Sequence, residues 1–139
     1  MTSAIQFVVG EGGRLPTRGT PGSAGLDLYA SKKGFAVDSQ VQVIPTAVRV
    51  AIPPGYVGLV QGRSGLAKGG LLVITGTIDS DYRGEIGVLV TSQHHHNISP
   101  GDRIAQLVIV PCHMGEPVAV DALDDTERGG GGFGSTGAR

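Results

Sequence analysis

Tryptophan is absent from this chain, cysteine occurs once, and 139 residues hold only three tyrosines and three phenylalanines. The single cysteine, Cys112, excludes an intramolecular disulfide and predicts a cytoplasmic or other non-secreted, reducing compartment. Its expected role is a small apolar filler behind a strand ending near Val110. Neither sign of charge dominates: 11 basic residues face 12 acidic ones, for a net charge of −1. That balance argues against a polybasic surface for long nucleic acids or anionic membranes. Any phosphate ligand must instead be met by a few placed arginines. No apolar run approaches the roughly 20 residues of a membrane helix. The start, MTSAIQFVVG, lacks a basic stretch leading into a long apolar core, which predicts no signal peptide. Helical periodicity sustained over three turns is missing too.

Glycine is abundant, with 24 residues, and eight prolines accompany it. Together they punctuate short runs rich in Val and Ile at 5–9, 26–30, 35–37, 41–44, 47–52, 56–61, 71–74, 85–90 and 103–110. One helical turn is expected at 64–68, with Ser64 as its cap. Many short strands at even spacing predict an all-β fold, a jelly roll or small barrel. Residues 1–123 are expected to form the domain, and 124–139 an acidic linker followed by a flexible glycine-rich arm.

Five segments carry chemistry. Residues 21–30, PGSAGLDLYA, set Asp27 among apolar neighbours in a strand pattern. A carboxylate there needs a partner if buried, either a structural ion pair or an arginine or metal-bound water that it orients. Residues 62–67, GRSGLA, follow a strand and place Arg63 and Ser64 where a phosphate could sit, although Ser64 could equally be a cap. Residues 76–88, GTIDSDYRGEIGV, concentrate Asp79, Asp81, Tyr82 and Arg83 between apolar flanks. In extended chain Asp79 and Asp81 would share a face, supplying a general base beside a flat ring and a cation. Residues 101–109, GDRIAQLVI, break an apolar strand with Arg103 and Gln106; a buried Arg103 would need Asp27, Asp79 or Asp81. Residues 128–137, RGGGGFGSTG, carry six glycines, one aromatic ring, one arginine and two hydroxyls, the composition of a lid for a polyanion.

Other patterns are set aside. Gly129, Gly131 and Gly134 match a dinucleotide fingerprint formally but lack a βαβ unit. His94, His95 and His96 are consecutive, cannot all converge on one ion, and read as a loop.

In this order the five segments resemble the five motifs of the trimeric deoxyuridine triphosphatase (dUTPase) family. The resemblance implies a distorted jelly roll, a homotrimer with active sites shared between subunits, and Mg²⁺-dependent hydrolysis of dUTP to dUMP and pyrophosphate. That activity keeps uracil out of DNA and supplies dUMP for thymidylate synthesis. Asp79 would be the base that activates water for attack on the α-phosphorus. A hairpin at 73–78 would read uracil through Val73, Thr75, Gly76, Thr77 and Ile78. Tyr82 would lie under the deoxyribose and Phe133 over the base. Arg63, Ser64, Gly65, Gln106, Arg128, Gly134, Ser135 and Thr136 would hold phosphates. Asp27, with Arg83 or Arg103, would support the metal's waters, the Mg²⁺ being held mainly by the triphosphate. The second motif has Gly65 where many family members carry serine, and Ser92 stands where asparagine commonly ends the third. The alternatives are a dCTP deaminase relative and a regulatory protein of the same fold that binds a partner.

Overall fold

The computed structural model describes residues 3–134 and 137. Eleven strands and one short helix follow each other as β1 (Gln6–Val9), β2 (Thr17–Arg18), β3 (Leu26–Tyr29), β4 (Gly34–Ala36), β5 (Gln42–Ala51), β6 (Tyr56–Gln61), α1 (Ser64–Lys68), β7 (Leu71–Val73), β8 (Gly76–Ile78), β9 (Glu85–Ser92), β10 (His96–Ile98) and β11 (Arg103–Pro111). Two antiparallel sheets form the body, a four-stranded one ordered β1-β5-β9-β7 and a five-stranded one ordered β2-β3-β11-β6-β8. A small β10-β4 pair completes the jelly-roll-like, all-β architecture.

Alternation along each strand builds the core. Ile44, Val48 and Val50 of β5 meet Ile86, Val88 and Val90 of β9, while Leu28, Val60 and Leu107 supply the opposing sheet; all are at most 2 % exposed. Burying each such side chain contributes about 1.5–3 kcal/mol relative to exposure.

The runs at 41–44 and 47–52 merge into the single strand β5. Pro45 cannot donate to a ladder. The strand absorbs it with an irregularity: Pro45 lies opposite Gly87 and Arg49 opposite Glu85, so four positions on β5 span two on β9. Ala47 takes the strain, with φ 59°. Thr46 Oγ1 donates to the Ile86 carbonyl at 2.6 Å and holds the bulge against β9.

Several sequence expectations change here. Ser64 is the first helical residue rather than the cap; Arg63 occupies the cap position, and no side chain caps the turn. Val73 and Ile78 are not joined by a hairpin: β7 pairs with β9 and β8 with β6, so the chain crosses between the two sheets. Residues 96–98, expected in a loop, form β10 against β4. Cys112 is exposed, because it follows the last strand and the chain leaves the body there. From residue 112 to 130 every residue is exposed, and the expected boundary at 123 falls inside this stretch.

Candidate functional site

Asp27 and Gln106 face each other across β3 and β11, in register. Leu26 and Leu28 point into the core, so Asp27 projects to the opposite face of the sheet and remains 14 % exposed. Arg63 Nε lies 3.5 Å from Asp27 Oδ1, and Arg103 Nη1 lies 3.9 Å from Asp27 Oδ2. One carboxylate therefore draws two guanidiniums together and leaves a surplus positive charge. Arg103 is half-exposed rather than buried, as its position at the start of β11 allows. Gln106 Nε2 donates to the Gly62 carbonyl at 2.9 Å and ties β11 to the loop before α1. With Ser64, Gly65 and Gly25 these groups line a cleft of about 410 Å³. Gly25 is indispensable to that packing: a Cβ there would fall 2.2 Å from Gln106 Oε1.

A second cleft, of about 270 Å³, opens beside the crossover from β7 to β8. Gly76, Thr77, Ile78, Asp79 and Tyr82 line it, together with Val60, Glu85 and Gly87. Residues 79–82 form a reverse turn, with the Tyr82 amide donating to the Asp79 carbonyl at 3.1 Å. The turn replaces the extended segment expected from the alternation, and Asp79 lines the cleft without Asp81. Asp79 is exposed and has no ion-pair partner among the described residues. The Tyr82 hydroxyl donates to the Glu85 carbonyl at 2.9 Å, drawing the ring over Gly84, where any Cβ would sit 2.3 Å from that hydroxyl. Arg83 folds onto its own turn, donating to the carbonyls of Ser80 at 2.7 Å and Tyr82 at 3.1 Å. It is Arg103, not Arg83, that shares Asp27. Val73 is half-buried and Thr75 exposed on the crossover; neither lines the cleft.

No described residue of the arm lines either cleft. Arg128 Nε donates to the Gly131 carbonyl at 2.6 Å, and the Gly129 amide to Thr126 Oγ1 at 3.0 Å. Phe133 is fully exposed, and Gly134 has φ 86°. Ser135 and Thr136 lie outside the described residues. Larger depressions, of about 520 and 540 Å³, contain no carboxylate, so size alone does not mark the site.

Ser92 is buried and structural: its hydroxyl donates to the Gly70 carbonyl at 3.1 Å, behind α1. His96 Nε2 donates to the Gly69 carbonyl at 3.1 Å, and the His94 ring stacks on His96 with centroids 5.8 Å apart. The histidine turn thus braces the end of α1. Among the described residues no three His, Cys, Asp or Glu side chains gather as a metal cage, and no helix is long and apolar enough to cross a membrane. The sequence reading missed Gly25 and Gly84 as site residues. Both lie inside the recognised motifs, but only the pairing of β3 with β11 brings Gln106 onto Gly25, and only the turn at 79–82 folds Tyr82 onto Gly84.

The family model described as dUTPase matches residues 11–137, which contain both clefts and the arm. The chain belongs to the dUTPase family. Among its relatives is a deoxyuridine 5'-triphosphate nucleotidohydrolase of Syntrophotalea carbinolica, 48% identical over 130 residues and 88% of each chain. Another, from Anaplasma marginale, is 46% identical and covers 96% of this chain and 95% of its own. The solved dUTPase of Staphylococcus bacteriophage 80alpha, bound to dUPNHPP, superposes with a TM-score of 0.93 at 31% identity, covering 99% of this chain and 100% of that one. A mutant dUTPase of phage phi11, with a structural Mg(II) ion, gives 0.82 at 29% identity over 86% of this chain and 98% of its own.

Proposed function

We propose that this chain is a dUTP diphosphatase, hydrolysing dUTP to dUMP and pyrophosphate by water attack on the α-phosphorus. The observation that carries the reading is Asp79: an unpaired carboxylate beside a sugar-sized cleft, in a chain whose relatives are named as hydrolases of deoxyuridine triphosphate. Asp79 takes the proton from the attacking water. Tyr82 offers its ring to the deoxyribose and leaves no space for a 2′-hydroxyl. The backbone of residues 76–78 reads uracil. Backbone groups left unpaired would reject cytosine, an effect worth up to about 10⁴–10⁵. Thymine differs by one methyl, worth only about 1–3 kcal/mol in a forgiving pocket, so a close wall must exclude it.

Arg63, Ser64, Gly65 and Gln106 hold the phosphates, with Arg103 beside them and Arg128, Gly134, Ser135 and Thr136 arriving on the arm. Phe133 covers the base. Positioning and charge neutralisation are most of what phosphoryl transfer needs. The residues present fit Mg²⁺ delivered with the triphosphate: Asp27 offers one hard carboxylate, and Mg²⁺ is commonly held by one or two carboxylates, waters and substrate phosphates. When bound, the ion neutralises developing phosphate charge.

The working unit is a homotrimer with shared sites. Among the described residues the two clefts have no lining residue in common, and none from the arm lines either. Val118, Val120 and Leu123, at 63–84 % exposure, and the outward Val43, Leu72 and Leu89 leave apolar surface that further copies would cover. The deaminase and purely regulatory alternatives are not favoured by the hydrolase names of the relatives.

The test is pyrophosphate release from dUTP, dTTP, dCTP and UTP with Mg²⁺. Strong preference for dUTP is expected. No turnover of dUTP, or ammonia release from dCTP, would overturn the proposal.

A further inference from the structure

Tyr29 is a polar aromatic on the solvent side of its sheet, yet it is only 2 % exposed. Its neighbours Leu26 and Leu28 face the core, so Asp27 and Tyr29 share the opposite face, where the 410 Å³ cleft opens. What covers the ring there is cationic. The Arg14 guanidinium carbon lies over it at 4.3 Å from the centroid, and that of Arg103 at 6.0 Å. The tyrosine hydroxyl is engaged by Thr17 Oγ1, which fastens the ring to β2. Tyr29 and Arg103 are also partners across β3 and β11, next to the irregularity between Arg103 and Ala105.

Arg103 needs such support. Its side chain is 53 % exposed, and its approach to Asp27 at 3.9 Å is too long for a hydrogen bond. The nearer guanidinium, that of Arg63, already occupies Asp27 at 3.5 Å. A long side chain held only by a distant shared charge loses rotamer freedom when it binds an anion. An aromatic face beneath the guanidinium restricts that freedom beforehand without neutralising the charge.

We propose that Tyr29 is a positioning residue that holds Arg103 ready for the substrate's phosphates, and that Arg14 fastens the ring from outside the five motifs. The proposal rests on the phosphate-binding reading of the Asp27 cleft. It assigns Tyr29 no contact with substrate. The hydroxyl serves the Thr17 link, whereas the ring face serves Arg103, so the two contributions can be separated by substitution.

The experiment measures inhibition by inorganic pyrophosphate, binding of deoxyuridine, and the KM and kcat for dUTP in Tyr29→Phe, Tyr29→Leu and Arg14→Gln. Tyr29→Leu should weaken pyrophosphate inhibition and raise KM by about 2- to 30-fold, the span of cation–π contacts from exposed to desolvated sites. kcat and deoxyuridine binding should stay near wild type, and Tyr29→Phe should restore the phosphate affinity. Arg14→Gln alters an exposed side chain and should shift pyrophosphate inhibition in the same direction by a smaller factor. If Tyr29→Leu does not fold, Arg14→Gln decides. Unchanged pyrophosphate inhibition in a folded Tyr29→Leu would overturn the proposal, as would an equal loss in Tyr29→Phe or an equal loss of deoxyuridine binding. Wild-type protein that binds pyrophosphate without turning over dUTP would instead count against the proposed function, because pyrophosphate binding is read without turnover.

Discussion

Gly25→Ala adds one carbon where Gln106 already stands. A Cβ built at Gly25 falls 2.2 Å from Gln106 Oε1, 2.9 Å from its Cβ and 3.0 Å from its Cδ. The carboxamide can rotate away. The Gln106 Cβ cannot, since β11 is fixed between β3 and β6, and that contact must open toward about 3.5–4.0 Å. Rotation gives up the 2.9 Å bond to the Gly62 carbonyl, worth about 1 kcal/mol net. Residual overpacking adds about 1–3 kcal/mol of destabilisation. Loss of one hydrogen bond to a charged phosphate is larger in catalysis, at about 1.5–3 kcal/mol, or about 10- to 150-fold in kcat/KM. The assay is pyrophosphate release from dUTP well below the unfolding temperature, with thermal unfolding in parallel. In kcat/KM Gln106→Ala should cost as much as Gly25→Ala, and combining them should add little there, because the second substitution removes the obstructed carboxamide, whereas the Cβ contact and its destabilisation persist. A Gly25→Ala protein with unimpaired kcat/KM, or two fully additive losses, would refute this account of the cleft.

Three further outcomes are expected. Asp79→Asn should retain dUTP binding while turnover falls by about 10²–10⁴, the range for losing a general base; near-normal turnover would remove Asp79 from that role. Phe133→Ala should weaken binding of a non-hydrolysable dUTP analogue by about 1–3 kcal/mol, as base–aromatic stacking elsewhere does, and calorimetry showing no change would contradict stacking. Ala47→Gly should raise stability by about 0.5–1 kcal/mol, since glycine relieves the left-handed backbone at φ 59° but gains freedom when unfolded. Unfolding midpoints at matched protein concentration check this, and a lower midpoint would count against strain at Ala47.

Strands with strong alternation between turn signals were readable from sequence. The run at 56–61 coincides with β6, and the single turn at 64–68 with α1, because Pro53, Pro54 and Gly55 stop the chain before one and Gly69 and Gly70 after the other. β2 and β10 escaped because two threonine–arginine positions, or a histidine and an asparagine, carry no apolar periodicity; partners β3 and β4 impose the extended form. Pro45 made β5 look like two strands, and only pairing with β9 across the bulge joins them. Of the residues singled out in the motifs, Asp27, Arg63, Asp79, Tyr82 and Gln106 line the clefts. Motif spacing could not reveal that Asp27 and Asp79 line different clefts, which follows from β3 and β8 standing apart in one sheet with β11 and β6 between them. Nor could it show that Tyr29, a residue patterned like core, lies beneath two arginines.

The proposed hydrolysis stands on water attack at the α-phosphorus of dUTP. Hydrolysis in water labelled with heavy oxygen, followed by mass spectrometry of both products, tests it directly. Attack on the α-phosphorus leaves the label in dUMP and none in pyrophosphate; label in pyrophosphate would place the attack on the β-phosphorus and contradict this mechanism.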